Sequence, residues 1–182
     1  AKSDGDTSAE PKTAAGFEVP DNISGSIAIG IDALTYRDGV VSQVDIAADL
    51  AGGAIAITRA AALLPGGSSF DIQGNISPVE GLPQFEGQVQ ARSDNFRALL
   101  NWLGIAVEEV ASDRLRNLAF TSIVRATPEL VQVYGVDMSL DSSRLSGGVA
   151  YALRDRPAFS IDFVIDQLNL DAYLPSAGAA KQ

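Results

Sequence analysis

FEGQVQARSDNFRALLNWLGI, from Phe85 to Ile105, changes its period halfway along. Phe85, Val89 and Ala91 alternate with Glu86, Gln88, Gln90 and Arg92, the period-two pattern of a strand that buries one face. From Phe96 the apolar residues fall at helical spacing instead, at Phe96, Leu99, Leu100 and Leu103, and Gly104 is placed to end the turn. Ser93 or Asp94 is placed to accept a hydrogen bond from the first free backbone N–H groups. The stretch therefore predicts a strand running into one short amphipathic α-helix near residues 94–103. A helix of about three turns is marginal alone and needs a sheet to receive its apolar stripe. It can serve as a plug at one end of that sheet's apolar face, or Trp102 and Leu103 can form a movable lid over a groove.

Outward from this stretch the chain reads as strand. SIAIGIDALTY sets Ile27, Ile29 and Ile31 against Ala28, Gly30 and Asp32. FDIQGNI sets Phe70, Ile72 and Ile76 against Asp71, Gln73 and Asn75, and FSIDFVIDQLNL sets Phe159, Ile161, Phe163 and Ile165 against Ser160, Asp162 and Asp166. One-sided strands of this kind belong to antiparallel sheets, because parallel strands read as continuous apolar runs. RDGV at Arg37–Val40, LAGGA at Leu50–Ala54 and PGGSS at Pro65–Ser69 are turn signals, so successive strands pair as a meander. VDIAADLAGGAIAITRA from Val44 resembles VDMSLDSSRLSGGVAYALRD from Val136; each is expected to run as a strand to a Gly-Gly break and turn back into a second strand. The fold class is mainly β: a curved antiparallel meander, either an open groove or a partly closed barrel or sandwich, with one helix. Ala28, Gly30, Ala54, Ala56, Gly74 and Gly87 within the strands point to strong curvature.

A sheet with one apolar face must cover it with a second sheet, a helix, a partner or a lipid. One helix about 16 Å long is too small to cover some eight strands. Either the sheet closes on itself, or it stays partly open and admits an acyl chain.

Composition narrows the chemistry. The chain of 182 residues has no cysteine and no histidine, which removes thiol nucleophiles, Cys/His zinc sites and imidazole-based triads. A net charge of −10 without clustered Lys and Arg argues against nucleic acid and against adhesion to anionic membranes by charge. No run of about 20 apolar residues spans a bilayer. Residues 1–16 and 176–182 are small, polar and aperiodic, so the expected organisation is a linker, one β-rich domain over 17–175 and a second linker, as in a piece excised from a longer protein. No cofactor and no metal is expected. Asp162 and Asp166 lie about 13 Å apart along a strand, too far to act as an acid–base pair. The acids of VEEV, Glu108 and Glu109, are the other candidates for an acid and base but read as solvated surface, and the acidic residues lack the dense alternating spacing of a calcium loop. The NIS triplets at Asn22 and Asn75 match a glycosylation acceptor that is common by chance, and RDRP at Arg154–Pro157 reads as a charged turn.

In the order of its elements the chain resembles the AsmA family of bacterial envelope proteins, with their TamB-like relatives. The resemblance rests on LAGGAIAI, on the strand of FEGQVQARSDNFRALLNWLGI running into its Ser-Asp-x-Phe-Arg-x-Leu-Leu helix, on LDSSRLSGGVAYAL and on the terminal IDQLNLDAYLP. It implies a periplasmic domain of an inner-membrane-anchored protein whose curved sheet shields lipid acyl chains and contributes to outer-membrane assembly. Membrane attachment would lie in parts of the parent protein outside this sequence. The expected partners are phospholipid acyl chains and other envelope proteins, and the resemblance carries no catalytic residue. On this reading Ile27, Ile29, Ile31, Phe70, Ile72, Phe85, Val89, Phe159, Ile161, Phe163 and Ile165 form the lipid-facing or core face. Phe96, Leu99, Leu100, Trp102 and Leu103 form the plug or lid. The alternatives are a closed structural or protein-interaction module of the envelope, and a carboxylate enzyme on a β scaffold.

Overall fold

The computed structural model describes residues 20–154 and 156–166. Both expected linkers, and all but the first two residues of IDQLNLDAYLP, lie outside them. Nine strands follow in chain order: β1 (Gly25–Tyr36), β2 (Gly39–Ala51), β3 (Ala54–Leu64), β4 (Ser68–Val79), β5 (Leu82–Ser93), β6 (Leu118–Ala126), β7 (Leu130–Leu140), β8 (Ser143–Ala152) and β9 (Ala158–Ile165). One helix, α1 (Phe96–Leu103), interrupts them between β5 and β6. Every strand pairs antiparallel with the next, giving one nine-stranded meander in which β1 and β9 are the edges. The sheet does not close into a barrel. Of the two forms the sequence allows, the open one is present.

The turns follow local chemistry. Arg37 and Asp38 take φ of 47° and 57°, and Gly52 and Gly53 take 56° and 75°. Two-residue loops with both φ positive match the right-handed twist of the flanking strands. The first hairpin therefore turns at Arg37–Asp38, and Gly39 already opens β2.

The two resembling units differ in where they turn. In the first, Gly52–Gly53 is the β2–β3 loop, as expected. In the second, the loop comes earlier: Asp141 takes the positive φ of 52°, and Gly147–Gly148 lies inside β8. The reason is steric. A Cβ on Gly147 would meet the backbone of Asp162 and Phe163 on β9, so a glycine is needed there for strand approach and not for a turn.

The sheet bends across its strands. Register places Ile57, Gly74, Gly87, Val124, Val133 and Val149 in one cross-strand row. Irregularities lie beside that row at Ile57/Ala60 and at Val133/Val136, where Gly135 takes a φ of 59°. Bulges sharpen twist and bend a strand locally. At the row's centre the two glycines face each other so closely that a Cβ on Gly74 would stand 2.6 Å from the Gly87 Cα. The side toward which a Cβ at that pair would project is thus the inside of the fold line.

Only four apolar side chains, Val41, Val107, Leu115 and Val136, are buried among the described residues, and each strand packs substantially only on its neighbours. This is one layer, without a second sheet against it.

Candidate functional site: an apolar face folded inward

Paired residues in an antiparallel ladder project to the same side, so register traces a face across the whole sheet. Starting from Ile27, Ile29 and Ile31 it runs through Ala48, Ile46 and Val44 on β2 and Ile57 and Ala60 on β3. It continues through Ile76, Ile72 and Phe70 on β4 and Phe85, Val89 and Ala91 on β5. Phe120 and Val124, then Val133, Val136 and Met138, then Leu145 and Val149 carry it to Phe159, Ile161, Phe163 and Ile165. All eleven residues proposed from the sequence for an apolar face stand on this one side. The β6 and β7 contributions, Phe120, Val124, Val133, Val136 and Met138, were missed. Their signal was present in the alternation of LAFTSIVRA and VDMSL, but the bulge at Gly135 breaks the period between them.

This apolar side is the inner side of the bend. Ser122 and Val136, in the middle of β6 and β7, are only 2% and 6% exposed although no second layer covers them. Toward the edges the same face is bare: Ile27 is 63% and Phe159 74% exposed. An apolar notch of 220 Å³ lined by Gly25, Ile27, Ala48, Leu50 and Ile55 opens near the β1 edge. At about 4.8 Å per strand the face extends about 38 Å from β1 to β9.

The helix lines one rim. Its N-cap is Asn95, whose Oδ1 accepts from the Ala98 N–H at 3.3 Å; the expected caps, Ser93 and Asp94, are otherwise engaged. Ser93 is the last residue of β5, paired with Ser68 both by register and by a 2.8 Å hydroxyl contact, and the Asp94 N–H donates to Gly67 O. The helix is thereby two turns long, ending as expected at Gly104 in the left-handed conformation. It rests on turns more than on strands. The Asn95 N–H donates to Gly66 O, and Trp102 Nε1 donates to Tyr36 O at 2.8 Å. Gly39 lies against the Trp102 indole, and a Cβ there would overlap the ring.

Beyond the bulge at Gln43 (φ 50°), the register of β2 on β3 slips by one, from Asp45 on Ala61 to Ser42 on Leu63. A one-residue slip exchanges the faces, which brings Gly39 and Val41 to the helix side. None of the helix residues is buried: Phe96, Leu99, Leu100 and Trp102 are half-buried, and Leu103 is exposed. Arg97 ties the following segment to the helix through four backbone carbonyls, and the Asp141 carboxylate accepts from the N–H groups of Leu115, Arg116 and Asn117.

The opposite side of the sheet is polar. Asp45 and Arg59 pair across β2 and β3 at 3.1 Å. Glu86 on β5 receives Arg125 from β6 in a forked pair at 3.1–3.2 Å, and the Tyr134 hydroxyl of β7 donates to it at 3.2 Å. Hydrogen bonding from Arg125, the largest cause, holds the Glu86 carboxyl below the usual glutamate range. A carboxyl with a folded-state pKa below its unfolded value adds stability that is full above the unfolded pKa and fades as the pH falls through the folded one. Glu86→Gln is therefore expected to lower stability slightly at neutral pH, where the ionised pair contributes in full, and to flatten the acid limb of a stability-versus-pH curve as the pH falls below the ordinary glutamate pKa, so that the two proteins converge in acid. Urea titrations across that range measure it, and an unchanged acid limb would contradict the pairing. Both partners are well exposed, so the effect is small.

The acids weighed for catalysis are scattered. Glu108 and Glu109 lie exposed on the segment after the helix, Asp162 is on the polar side of β9, and Asp166 follows its last residue. No cluster of three acids fit to hold a metal occurs among the described residues, and no helix there is long and apolar enough to cross a membrane. No protein-family model, no curated protein and no solved structure matches the chain.

Proposed function

We propose that this chain is a non-enzymatic segment of a lipid-handling groove in an AsmA-like protein of the bacterial envelope, where it shields or conveys phospholipid acyl chains and so contributes to outer-membrane assembly. One observation carries the reading: a largely apolar face that crosses all nine strands over about 38 Å with Ser122 in its floor, on the inside of a bend, without a second layer over it. Each methylene that leaves water on such a face contributes about 0.8 kcal/mol, so an acyl chain is retained without any polar contact. No charged side chain stands in the cross-strand row at the fold line, which fits a ligand recognised by its hydrocarbon and not by its headgroup. The periplasmic location and the inner-membrane-anchored parent come from the family resemblance.

The test is native mass spectrometry of the purified chain, followed by organic extraction and lipid identification. Phospholipid is expected on the wild type and is expected to be lost from a variant carrying Ile27→Asp and Phe159→Asp. Both positions are mostly exposed already, so the variant should keep its far-ultraviolet spectrum. A lipid-free wild type that also fails to bind a fluorescent fatty acid would remove the reading.

A second reading, a protein-interaction module of the envelope, draws on the edges. β1 offers twelve residues with a single charge, Asp32, and no proline, and no strand among the described residues pairs with its outer side, so that side suits strand addition. A lipid-free chain that captures a defined envelope protein through β1 would favour it.

A further inference from the structure

The end of β1 and the C-terminus of the helix meet at one corner of the sheet. Tyr36 ends β1 at 54% exposure, with its ring edge-on to Trp102 at a centroid distance of 6.1 Å. The Arg37 guanidinium lies 5.4 Å from the Tyr36 ring and donates to Leu103 O at 3.1 Å. Gly104 ends the helix in the left-handed conformation between Leu103 and Ile105, which are 46% and 50% exposed. These side chains belong to two separate elements, the β1–β2 hairpin tip and the helix C-terminus, and the bonds from Trp102 and Arg37 lock the two together.

We propose that this corner docks on a lipid bilayer, placing Trp102, Leu103 and Ile105 in the interfacial layer. Tyrosine and tryptophan present an apolar body with a polar tip and concentrate at headgroup level, where an adjoining arginine can extend its charge to water. The charge around the corner defines the surface further. Asp38 follows Arg37 in the same turn, Glu108 and Glu109 lie just beyond Ile105, and the whole chain carries −10. The match is therefore to an electroneutral surface and not to an anionic one. β1 leads from the corner to Ile31, Ile29 and Ile27, so docking would set the β1 end of the apolar face at the membrane. That last step rests on the groove reading; the docking itself does not.

Trp102 is the chain's single tryptophan and reports its own surroundings. The full chain, mixed with phosphatidylcholine vesicles, is expected to show a blue-shifted emission that acyl-brominated phosphatidylcholine quenches. Adding phosphatidylglycerol to the vesicles should not strengthen binding. Tyr36→Asp with Ile105→Asp, at half-exposed positions outside the apolar face and the helix, is expected to weaken vesicle co-sedimentation by roughly tenfold or more while leaving the fold and any co-purified lipid unchanged. An unshifted, unquenched Trp102, binding confined to anionic vesicles, or a double variant that binds as tightly as the wild type would each overturn the docking. Loss of co-purified lipid in the Ile27→Asp and Phe159→Asp variant, with vesicle binding retained, would separate the groove from the corner.

Discussion

Arg97→Ala is expected to release residues 104–117 from the helix and to lower the stability of the chain by about 3 kcal/mol, since hydrogen bonds from a charged donor contribute about 1.5–3 kcal/mol each and are not additive. Arg97 Nη1 donates to Val107 O at 2.7 Å, and Nη2 donates to Val110 O at 2.6 Å and Ala111 O at 2.5 Å. Its Nε reaches Arg114 O at 3.4 Å, and its backbone N–H donates to Leu115 O. The segment so held contains Val107 and Leu115, two of the four buried apolar side chains among the described residues. It has no regular backbone ladder of its own, so the guanidinium supplies what a ladder would. Arg97→Lys should recover less than half of the loss, because one ammonium cannot span carbonyls that a planar fork reaches together. Urea unfolding and amide hydrogen exchange measure both effects. Exchange over 104–117 that is no faster in Arg97→Ala than in the wild type would contradict this role.

That role was hidden from the sequence for a physical reason. An arginine within an apolar helical stripe reads as a solvated interruption, since its four acceptors are backbone carbonyls 10 to 17 residues further on and carry no side-chain signature. The period-two alternation, by contrast, is a direct consequence of pleating, which is why Ile27 on β1 and Phe163 on β9 could be assigned to one side although 136 positions separate them. What alternation does not report is whether a second layer covers that side. A closed sandwich and an open, bent sheet have the same parity, and what distinguishes them is that each strand packs substantially only on its neighbours while Ile27 and Phe159 stand bare on that side. The helix cap shows the same limit on a smaller scale. Ser93, Asp94 and Asn95 are all good caps by residue type. The strand pairing of Ser93 with Ser68 and the bond from Asp94 to the β3–β4 turn remove the first two.

The glycines separate position from composition, and they set up the second large effect. Gly30, Gly74 and Gly87 all lie inside strands and look alike in the sequence. A Cβ on Gly30 would meet nothing within 4 Å. One on Gly74 would stand 2.6 Å from Glu86 O and 2.8 Å from the Phe85 ring, and one on Gly87 would stand 2.9 Å from the Gly74 Cα with its own clashes against Gln73 and Phe85. Gly30→Val is therefore expected to be neutral to within about 0.5 kcal/mol, because a β-branched residue suits an exposed strand position. Gly87→Val has no such freedom. Strand backbone cannot yield as a flexible side chain does, so the β4 and β5 backbones must separate, and the cost is about 3 kcal/mol, at the upper end for overpacking. Separation at that row flattens the bend, because Gly74 and Gly87 are the pair at its centre. Gly87→Val should thus lose co-purified lipid even where enough folded protein remains, whereas Gly30→Val should keep both stability and lipid. Urea midpoints with lipid extraction on the two variants decide the matter. Equal midpoints would mean that the close approach at Gly74 and Gly87 is not what holds the sheet bent. A destabilised Gly87→Val that still carries its lipid would mean that the apolar face retains acyl chains without the bend.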